Sequence, residues 1–596
     1  MTAQYIVGID LGTTNSVLAY ASLAAEKPMV ELLPIPQLTA PGVVEERTSL
    51  PSFIYLATEA EVAGPSFDLP WRKNNAVVVG ELARRQSAEL PQRTVLGAKS
   101  WLCHSKVDRH QAILPWGAPN EVPKISPVTA SQRYLEHLIA AWEHKFPDAP
   151  IAEQHVVLTV PASFDAAARE LTREAALAAG LPTNLVLLEE PQAAVYAWLT
   201  AMGDRWRKAL KVGDVLLVCD IGGGTTDLTL VGVAEEGGEL QLRRLAVGDH
   251  LLVGGDNMDL ALAHWTAGKF AEKNVKLDPW QSVSLWHSCR AAKETLFAAK
   301  GSRKAPVSVL GRGSKLIGGA VTVDVVGDEA ASFLSEGFFP AVAVNERPNR
   351  RRLSGFQEIG LPFEADTAIT RHLAAFLADH GADPQHPVQP THLLFNGGVF
   401  KANMFRAKLT ETLASWAGGT PPKPLEGEHD LDHAVARGAA YYGWAKQRGG
   451  VRIRGGTARS YYVGIETSGL AIPGMPRPLR ALCVVPFGME EGTAVDVPSN
   501  EIGLVVGEAA TFRFFSSPVR KLDRPGELLS HWSEEELAET DSLEALLPKD
   551  DAIDEPYVPV QFHTQITELG VLELWCASTQ TPSRWKLEFS VRKDAD

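Results

Sequence analysis

Two glycine-rich segments constrain this chain more than anything else in it: Gly8-Ile9-Asp10-Leu11-Gly12-Thr13-Thr14-Asn15, and far downstream Asp220-Ile221-Gly222-Gly223-Gly224-Thr225-Thr226-Asp227. Each follows an apolar run (Tyr5 to Ile9, Val215 to Cys219) that reads as a buried strand, and each precedes another (Ser16 to Ala19, Leu228 to Val231). Strand, glycine turn and strand make a hairpin whose turn amides can face an anion, because glycine permits close approach and positive φ. An aspartate on each hairpin is the kind of hard oxygen ligand that suits a hydrated divalent cation. Two such hairpins facing each other would clamp a metal–polyphosphate from both sides.

At 596 residues the chain is too long for one core, so several domains are expected. The net charge of −15 argues against nucleic acid as a partner. Five cysteines without CxxC spacing (Cys103, Cys219, Cys289, Cys483 and Cys576) point to packed, reduced thiols and not to a disulfide frame or zinc site. No apolar run is long enough to cross a bilayer, and the N-terminus runs straight into the first strand, so a cytoplasmic protein without a membrane partner is expected.

Strands alternate with helices over the first three quarters of the chain. His155 to Val160 reads as a strand, and Asp165 caps an alanine-rich helix that closes at Gly180. Val186 to Leu188 is another strand, and Glu190-Pro191 opens a helix. Thr391 to Phe395, Asn396-Gly397-Gly398 and Lys401 to Trp416 repeat the pattern as strand, turn and helix. The expectation is an α/β fold in two halves, 1–195 and 196–445, each opening with a phosphate hairpin and enclosing a central cleft. Residues 446–459 read as a Gly/Arg connector and 460–596 as a β-rich domain. In the tail, Trp585, Leu587, Phe589 and Val591 alternate with polar residues, as on a half-buried strand. The acidic stretch Leu528 to Leu547 reads as a small helical insert or a loop with a solvated face.

These motifs, in this order, resemble those of the DnaK-like chaperones, the seventy-kilodalton heat-shock family of the actin and sugar-kinase superfamily. The resemblance rests on both hairpins, Pro161–Phe164, Leu188-Glu189-Glu190-Pro191-Gln192-Ala193-Ala194, Gly254-Gly255-Asp256, Asn396-Gly397-Gly398 and Asp432–Ala440, and spans roughly the first 445 residues. It implies an actin-like ATPase with ATP/ADP and Mg2+ as cofactors. Asp10, Asp220 and Asp227 would place magnesium, mainly through waters. Gly12, Thr13, Thr14, Gly222, Gly223, Gly224 and Thr225 would grip phosphates. Glu190 would orient or deprotonate the attacking water. Gly254, Gly255 and Lys293 would line the nucleotide, and Gly397 and Gly398 would pass beneath its ribose or adenine.

The chain also departs from the family. In Gly80-Glu81-Leu82-Ala83-Arg84, arginine stands where the resemblance expects the catalytic lysine, and a planar guanidinium is no equivalent of an ammonium. Hydrolysis is then expected to be slow or lost. Arg290, Glu294 and Phe297, with Val399 and Lys401, replace the usual residues around the base, and only Lys293 agrees. Tyr462 to Thr467, Val484 to Gly488 and Phe512 to Phe515 resemble strands of the family's peptide-binding β-sandwich. The apolar interdomain linker has no counterpart in 449–455, and a member without the helical lid is expected.

The resulting expectation is an ATP-binding, slowly hydrolysing chaperone whose nucleotide state gates an unfolded or specific client protein at the β domain, with a J-domain co-chaperone and a nucleotide exchange factor as partners. A nucleotide-gated binder without turnover is the first alternative, and a small-molecule kinase of the same superfamily the second.

Overall fold

The computed structural model describes residues 3–596 apart from 105, 237–238, 299–300, 302, 311–319, 350–360, 362, 382–385, 426–429, 449–452, 455–456, 458, 467–478, 491–492, 500–501, 508, 541–542, 547, 549–556, 567–571 and 588–596. Both glycine segments form the expected hairpins. Tyr5–Leu11 pairs antiparallel with Asn15–Ser22, and Val215–Ile221 with Thr226–Glu236. Each first strand is buried on both faces, as the apolar runs require.

Around each hairpin the same sheet grows. Tyr5–Leu11 runs parallel to His155–Val160, which runs parallel to Val186–Glu189, while Glu31–Leu32 extends the other edge antiparallel. Val215–Ile221 runs parallel to His392–Asn396, and that strand to Lys423–Pro424, while Glu239–Val247 extends the other edge antiparallel. Among the described residues both are six-stranded, mixed sheets in an α/β arrangement. The helix Ala166–Ala179 begins where Asp165 accepts a hydrogen bond from the Ala168 amide and ends at Gly180, whose φ is 102°.

Two helices join the sheets. Glu190–Met202 and Ala434–Arg448 cross so closely that a Cβ on Gly438 would lie 1.7 Å from the Ala193 carbonyl oxygen. A shared core binds them to both sheets, with Val157 and Leu188 from the first and Leu216, Val218 and Val231 from the second. Ala434–Arg448 also lies across the first hairpin, where Val17 and Ala19 meet Ala436 and Ala440. The helix that ends the second half in sequence thus packs on the sheet of the first.

Two parts of the connector expected over 446–459 belong to regular elements. The preceding helix continues to Arg448, and Ile453–Arg454 joins the second sheet parallel to Glu239–Val247. Ile453 is buried, and its amide donates to the Tyr196 hydroxyl at 2.7 Å. A single apolar residue with a buried partner outweighed the glycine-rich composition around it.

Beyond it the chain is β-rich. Ser460–Glu466, Leu479–Val485 and Phe514–Ser517 lie in one sheet; Tyr557–Ile566, Leu572–Ser578 and Arg584–Leu587 lie in another. Val463, Val484 and Phe514 from the first pack with Val560, Phe562 and Leu574 from the second. Phe512 to Phe515 is divided between two strands, Ala509–Phe512 and Phe514–Ser517. Over 528–547 the structure corrects the helical reading. The described residues form the short strands Leu528–Leu529, Ala538–Glu539 and Leu543–Leu546, because Leu529 and Leu537 turn inward onto Tyr462, Cys483 and Phe515. In the tail strand Trp585 and Leu587 are buried as expected, while Phe589 and Val591 lie outside the described residues, as does Thr467.

Candidate functional site

The two hairpin turns meet tip to tip. A Cβ on Gly223 would stand 2.0 Å from Thr14 Oγ1, and one on Gly224 3.0 Å from Thr13 Cγ2. Beneath them opens a cleft of about 390 Å3. Gly12, Thr13 and Thr14 line it from the first hairpin, and Gly222, Gly223 and Thr225 from the second. Different braces hold the two turns. Ser52 serves the first: its amide donates to the Thr14 carbonyl at 2.8 Å and its hydroxyl to the Gly12 carbonyl at 2.7 Å. The start of the helix Gly255–Glu272 serves the second, with Gly255 N–H donating to Gly222 O at 3.0 Å and Asp256 N–H to Gly223 O at 2.7 Å. Gly254 caps that helix with no room to spare, since a Cβ there would meet the carbonyl oxygens of Gly223 and Gly222 at 2.7 and 2.8 Å.

The cleft floor is charged. Glu190 opens its helix directly after the Val186–Glu189 strand and forms an ion pair with Lys99, which the short helix Ala98–Trp101 carries. Burial would lower the Lys99 ammonium, but Glu190 and Asp10 hold it above its ordinary value. Burial raises the Glu190 carboxyl against the pull of Lys99. Asp10 accepts from Thr159 Oγ1 at 3.3 Å and is pushed up to about 7 by burial and by Glu190. Asp220 accepts from Asn396 Nδ2 at 2.8 Å and stands well above the carboxylate range, again through burial and then Glu190. Asp227 is buried behind the cleft wall, where Ser163 donates its hydroxyl to it. Burial raises its pKa too, against the hydrogen bonds from Ser163.

The sequence reading sought its cation at Arg84, and the structure corrects this. Arg84 lies outside the cleft lining, on the Glu81–Glu89 helix, paired with Glu81 at 3.0 Å and Glu294 at 3.8 Å across the rim. The cation at the floor is Lys99. Its signal was present in the sequence: one lysine among Val95, Leu96, Ala98, Trp101 and Leu102, where a charge needs a buried partner. Ser163, His250, Ser52 and Asn396 Nδ2 were missed as well, because each acts through a contact distant in sequence.

At the far end, Lys293 lines the cleft and is anchored to Asp259 at 2.7 Å and to the Gly255 carbonyl at 2.9 Å. Arg290 is buried between Asp256 at 2.6 Å and Asp259 at 2.9 Å. Gly397 and Gly398 line the opposite side; Gly397 has a φ of 85°, and a Cβ there would lie 2.2 Å from the Ile221 carbonyl oxygen. Phe297, set edge-on to Phe405 at 6.0 Å, and Val399 supply apolar surface, while Lys401 pairs with Asp432 at 2.6 Å. Of the expected residues, only Arg84, Asp227, Gly224 and Gly254 are absent from the lining, and the last three support its wall.

This donor set fits a phosphate-bearing ligand with a divalent cation. Four buried carboxylates share one lysine; burial raises all four pKa values, and a neighbouring carboxylate adds to the rise at Asp10, Glu190 and Asp220. Asn396 also leaves its buried Oδ1 without a partner, an open acceptor at the cleft. Among the described residues no three of His, Cys, Asp and Glu converge closely enough to hold a metal directly.

Part of the chain is similar to known proteins. Residues 58–315 match the family model described as Hsp70 protein. The "Chaperone protein HscA homolog" of Acinetobacter baumannii is 30% identical over 282 residues, which is 46% of this chain and 38% of that protein. The HscA homolog of Histophilus somni is 31% identical over 275 residues, 44% of this chain and 38% of that protein. The "Chaperone protein DnaK" of Stenotrophomonas maltophilia is 27% identical over 313 residues, 50% of this chain and 43% of that protein. Over this region the chain is similar to the Hsp70 family. The aligned part spans about two fifths of the length of these relatives. The first hairpin and Gly397-Gly398 lie outside residues 58–315, and it is the fold that sets them beside Glu190 and Asp220.

Proposed function

We propose that the cleft binds ATP or ADP with Mg2+ and hydrolyses ATP slowly, and that the nucleotide state gates a peptide or protein client at the C-terminal β region. The observation that carries this reading is the meeting of two phosphate hairpins over a buried Lys99–Glu190 pair. On this reading residues 1–445 are two actin-like lobes, 446–459 tie them to a sandwich-like domain over 460–596, and the repeated strand order of the two sheets supports the duplication.

The chain's own groups divide the work of phosphoryl transfer, which is mainly positioning and charge neutralisation. Turn amides and hydroxyls at Gly12–Thr14 and Gly222–Thr225 donate to phosphate oxygens from opposite sides. Lys99 places an ammonium beside the transferring phosphate. Glu190, released from that lysine as charge moves onto the phosphate, accepts the proton of the attacking water. Asp10, Asp220 and Asp227 orient the waters around a cation. Magnesium, when bound, supplies positive charge to the phosphate oxygens. Lys293 and the Gly397-Gly398 turn hold the sugar and base end.

Lys99 in the cleft favours turnover over the gated binder, which rested on Arg84. Clients, a J-domain co-chaperone, an exchange factor and a cytoplasmic location belong to the same proposal. In its support, all five cysteines are free and, among the described residues, no helix is long and apolar enough to cross a membrane. Single-turnover hydrolysis by the purified chain tests it. Phosphate release is expected from the wild type and none above background from Asp220→Ala. Binding of MgATP without release would leave only the gated binder, and no binding would end the nucleotide reading.

A further inference from the structure

Behind the cleft wall a chain of hydrogen bonds runs away from Asp227 toward the C-terminal region. Ser163 donates its hydroxyl to Asp227 and stands 2.6 Å from His250 Nδ1. The serine hydroxyl has one proton, and the carboxylate takes it. His250 must then donate Nδ1–H to Ser163, which leaves Nε2 the bare nitrogen; that atom is buried without a partner. Burial, with Lys99 and Arg459 nearby and against the pull of Asp165, lowers the His250 pKa to about 4, so the ring is neutral with a single N–H. The three groups form a directed relay, His250 to Ser163 to Asp227.

Both ends of the relay are fixed. The His250 ring lies edge-on to Phe164 at 5.6 Å, and its segment is stitched to the second hairpin by Gly248 N–H to Leu228 O at 2.8 Å and Thr226 N–H to Leu251 O at 3.0 Å. The neighbouring Asp249 pairs with Arg459 at 3.1 Å. Arg459 directly precedes the Ser460–Glu466 strand and also donates to Ser516 Oγ at 3.4 Å. The β region therefore grips the residue beside the relay histidine.

We propose that Ser163 and His250 are positioning residues that set the Asp227 carboxylate for the magnesium-bound nucleotide, and that the Asp249–Arg459 contact makes this setting depend on docking of the β region. The proposal deepens the nucleotide reading and rests on it.

The test is calorimetric titration of the full chain with ATP, once with Mg2+ and once with EDTA, taking the ratio of the two dissociation constants. Ser163→Ala is expected to lower the magnesium advantage roughly tenfold, as loss of a hydrogen bond to an ionised group implies. Ser163→Thr keeps the hydroxyl and restores the advantage. His250→Leu lowers it, whereas His250→Asn, which places an amide N–H where Nδ1 stands, retains it. This second pair decides the matter if Ser163→Ala fails to fold. Arg459→Gln lowers the advantage several-fold by the same logic, and Ser163→Ala with Arg459→Gln is no worse than Ser163→Ala alone. An unchanged ratio in Ser163→Ala and His250→Leu, while the wild type binds MgATP normally, overturns the relay. Additive losses in the double variant overturn its link to the β region. A wild type that binds no ATP in either buffer overturns the nucleotide reading and the relay together.

Discussion

The two hairpins share a turn but not a charge. Across the second, Asp220 faces Asp227; across the first, Asp10 faces Val17, which is buried against Ala436 and Ala440. The second hairpin thus holds two carboxylates, each relieved by a neutral donor, Asn396 for Asp220 and Ser163 for Asp227. The first holds one, beside the Lys99–Glu190 pair. The two copies differ in surroundings: one gathers two carboxylates, and the other packs against the helix that joins the sheets while its carboxylate faces the buried lysine. The braces differ in the same sense, backbone amides of a helix start for the second turn and a single serine for the first.

Removing the lysine breaks this division most severely. Lys99→Met leaves Glu190 and Asp10 buried together without a counter-charge, a change that typically costs about 3–5 kcal/mol when a buried pair loses one member. Single-turnover hydrolysis is expected to fall roughly 10²-fold or more, as for loss of a preorganised charge. Arg84→Gln, at the rim, is expected to change it less than about twofold, because a half-exposed pair contributes little. Equal losses in the two variants would show that the cleft cation has been misassigned.

The braces offer the next contrast. Gly254→Ala forces a Cβ against two carbonyl oxygens of the second turn and is expected to cost about 1–3 kcal/mol, read as a lower unfolding midpoint and weaker nucleotide binding. Ser52→Ala removes the hydroxyl bond to Gly12 and keeps the amide bond to Thr14, so about 1 kcal/mol is expected. The opposite order would mean that the first turn is the more demanding of the two.

The carboxylates also differ in what pH does to them. Asp10 is raised from 3.8 to about 7 in the folded chain, so the folded state binds its proton more tightly than the unfolded state does. Its contribution to stability therefore falls as pH rises from about 4 to 7, by at most about 1.4 kcal/mol per pH unit, and is constant above. Thermal unfolding in EDTA from pH 5 to 8 should show Asp10→Asn with a shallower slope than the wild type below pH 7 and a parallel course above it. Parallel curves throughout would mean that Asp10 is not the proton-binding group.

The hairpins, the alternation of strand and helix, and the Glu190 helix start were all legible, because each is a local pattern of apolar periodicity, glycine and capping residues. Arg84 misled for the opposite reason. The apolar residues around Lys99 were a local signal, but only the burial of the short Ala98–Trp101 helix beneath the hairpins places that lysine, and not the rim arginine fifteen positions before it, at the cleft floor. In Leu528 to Leu547 the solvated face was legible, since Glu534, Glu535, Glu536 and Glu539 are exposed, but the helical alternative was not met, and Leu529 and Leu537 are claimed by a core whose other members lie far away in sequence.

By itself the sequence determined that two glycine-rich hairpin turns exist, which carboxylates they carry, and that the first part of the chain is α/β and the last part β-rich, since these follow from the order of residues within single elements. The tertiary structure alone decided that the turns meet, that Lys99 and not Arg84 faces Glu190, that Ile453 docks on the second sheet, and that Ser163 and His250 stand behind Asp227. Each of these is a contact between distant segments, fixed by which buried group finds a partner when the sheets close on their shared helices.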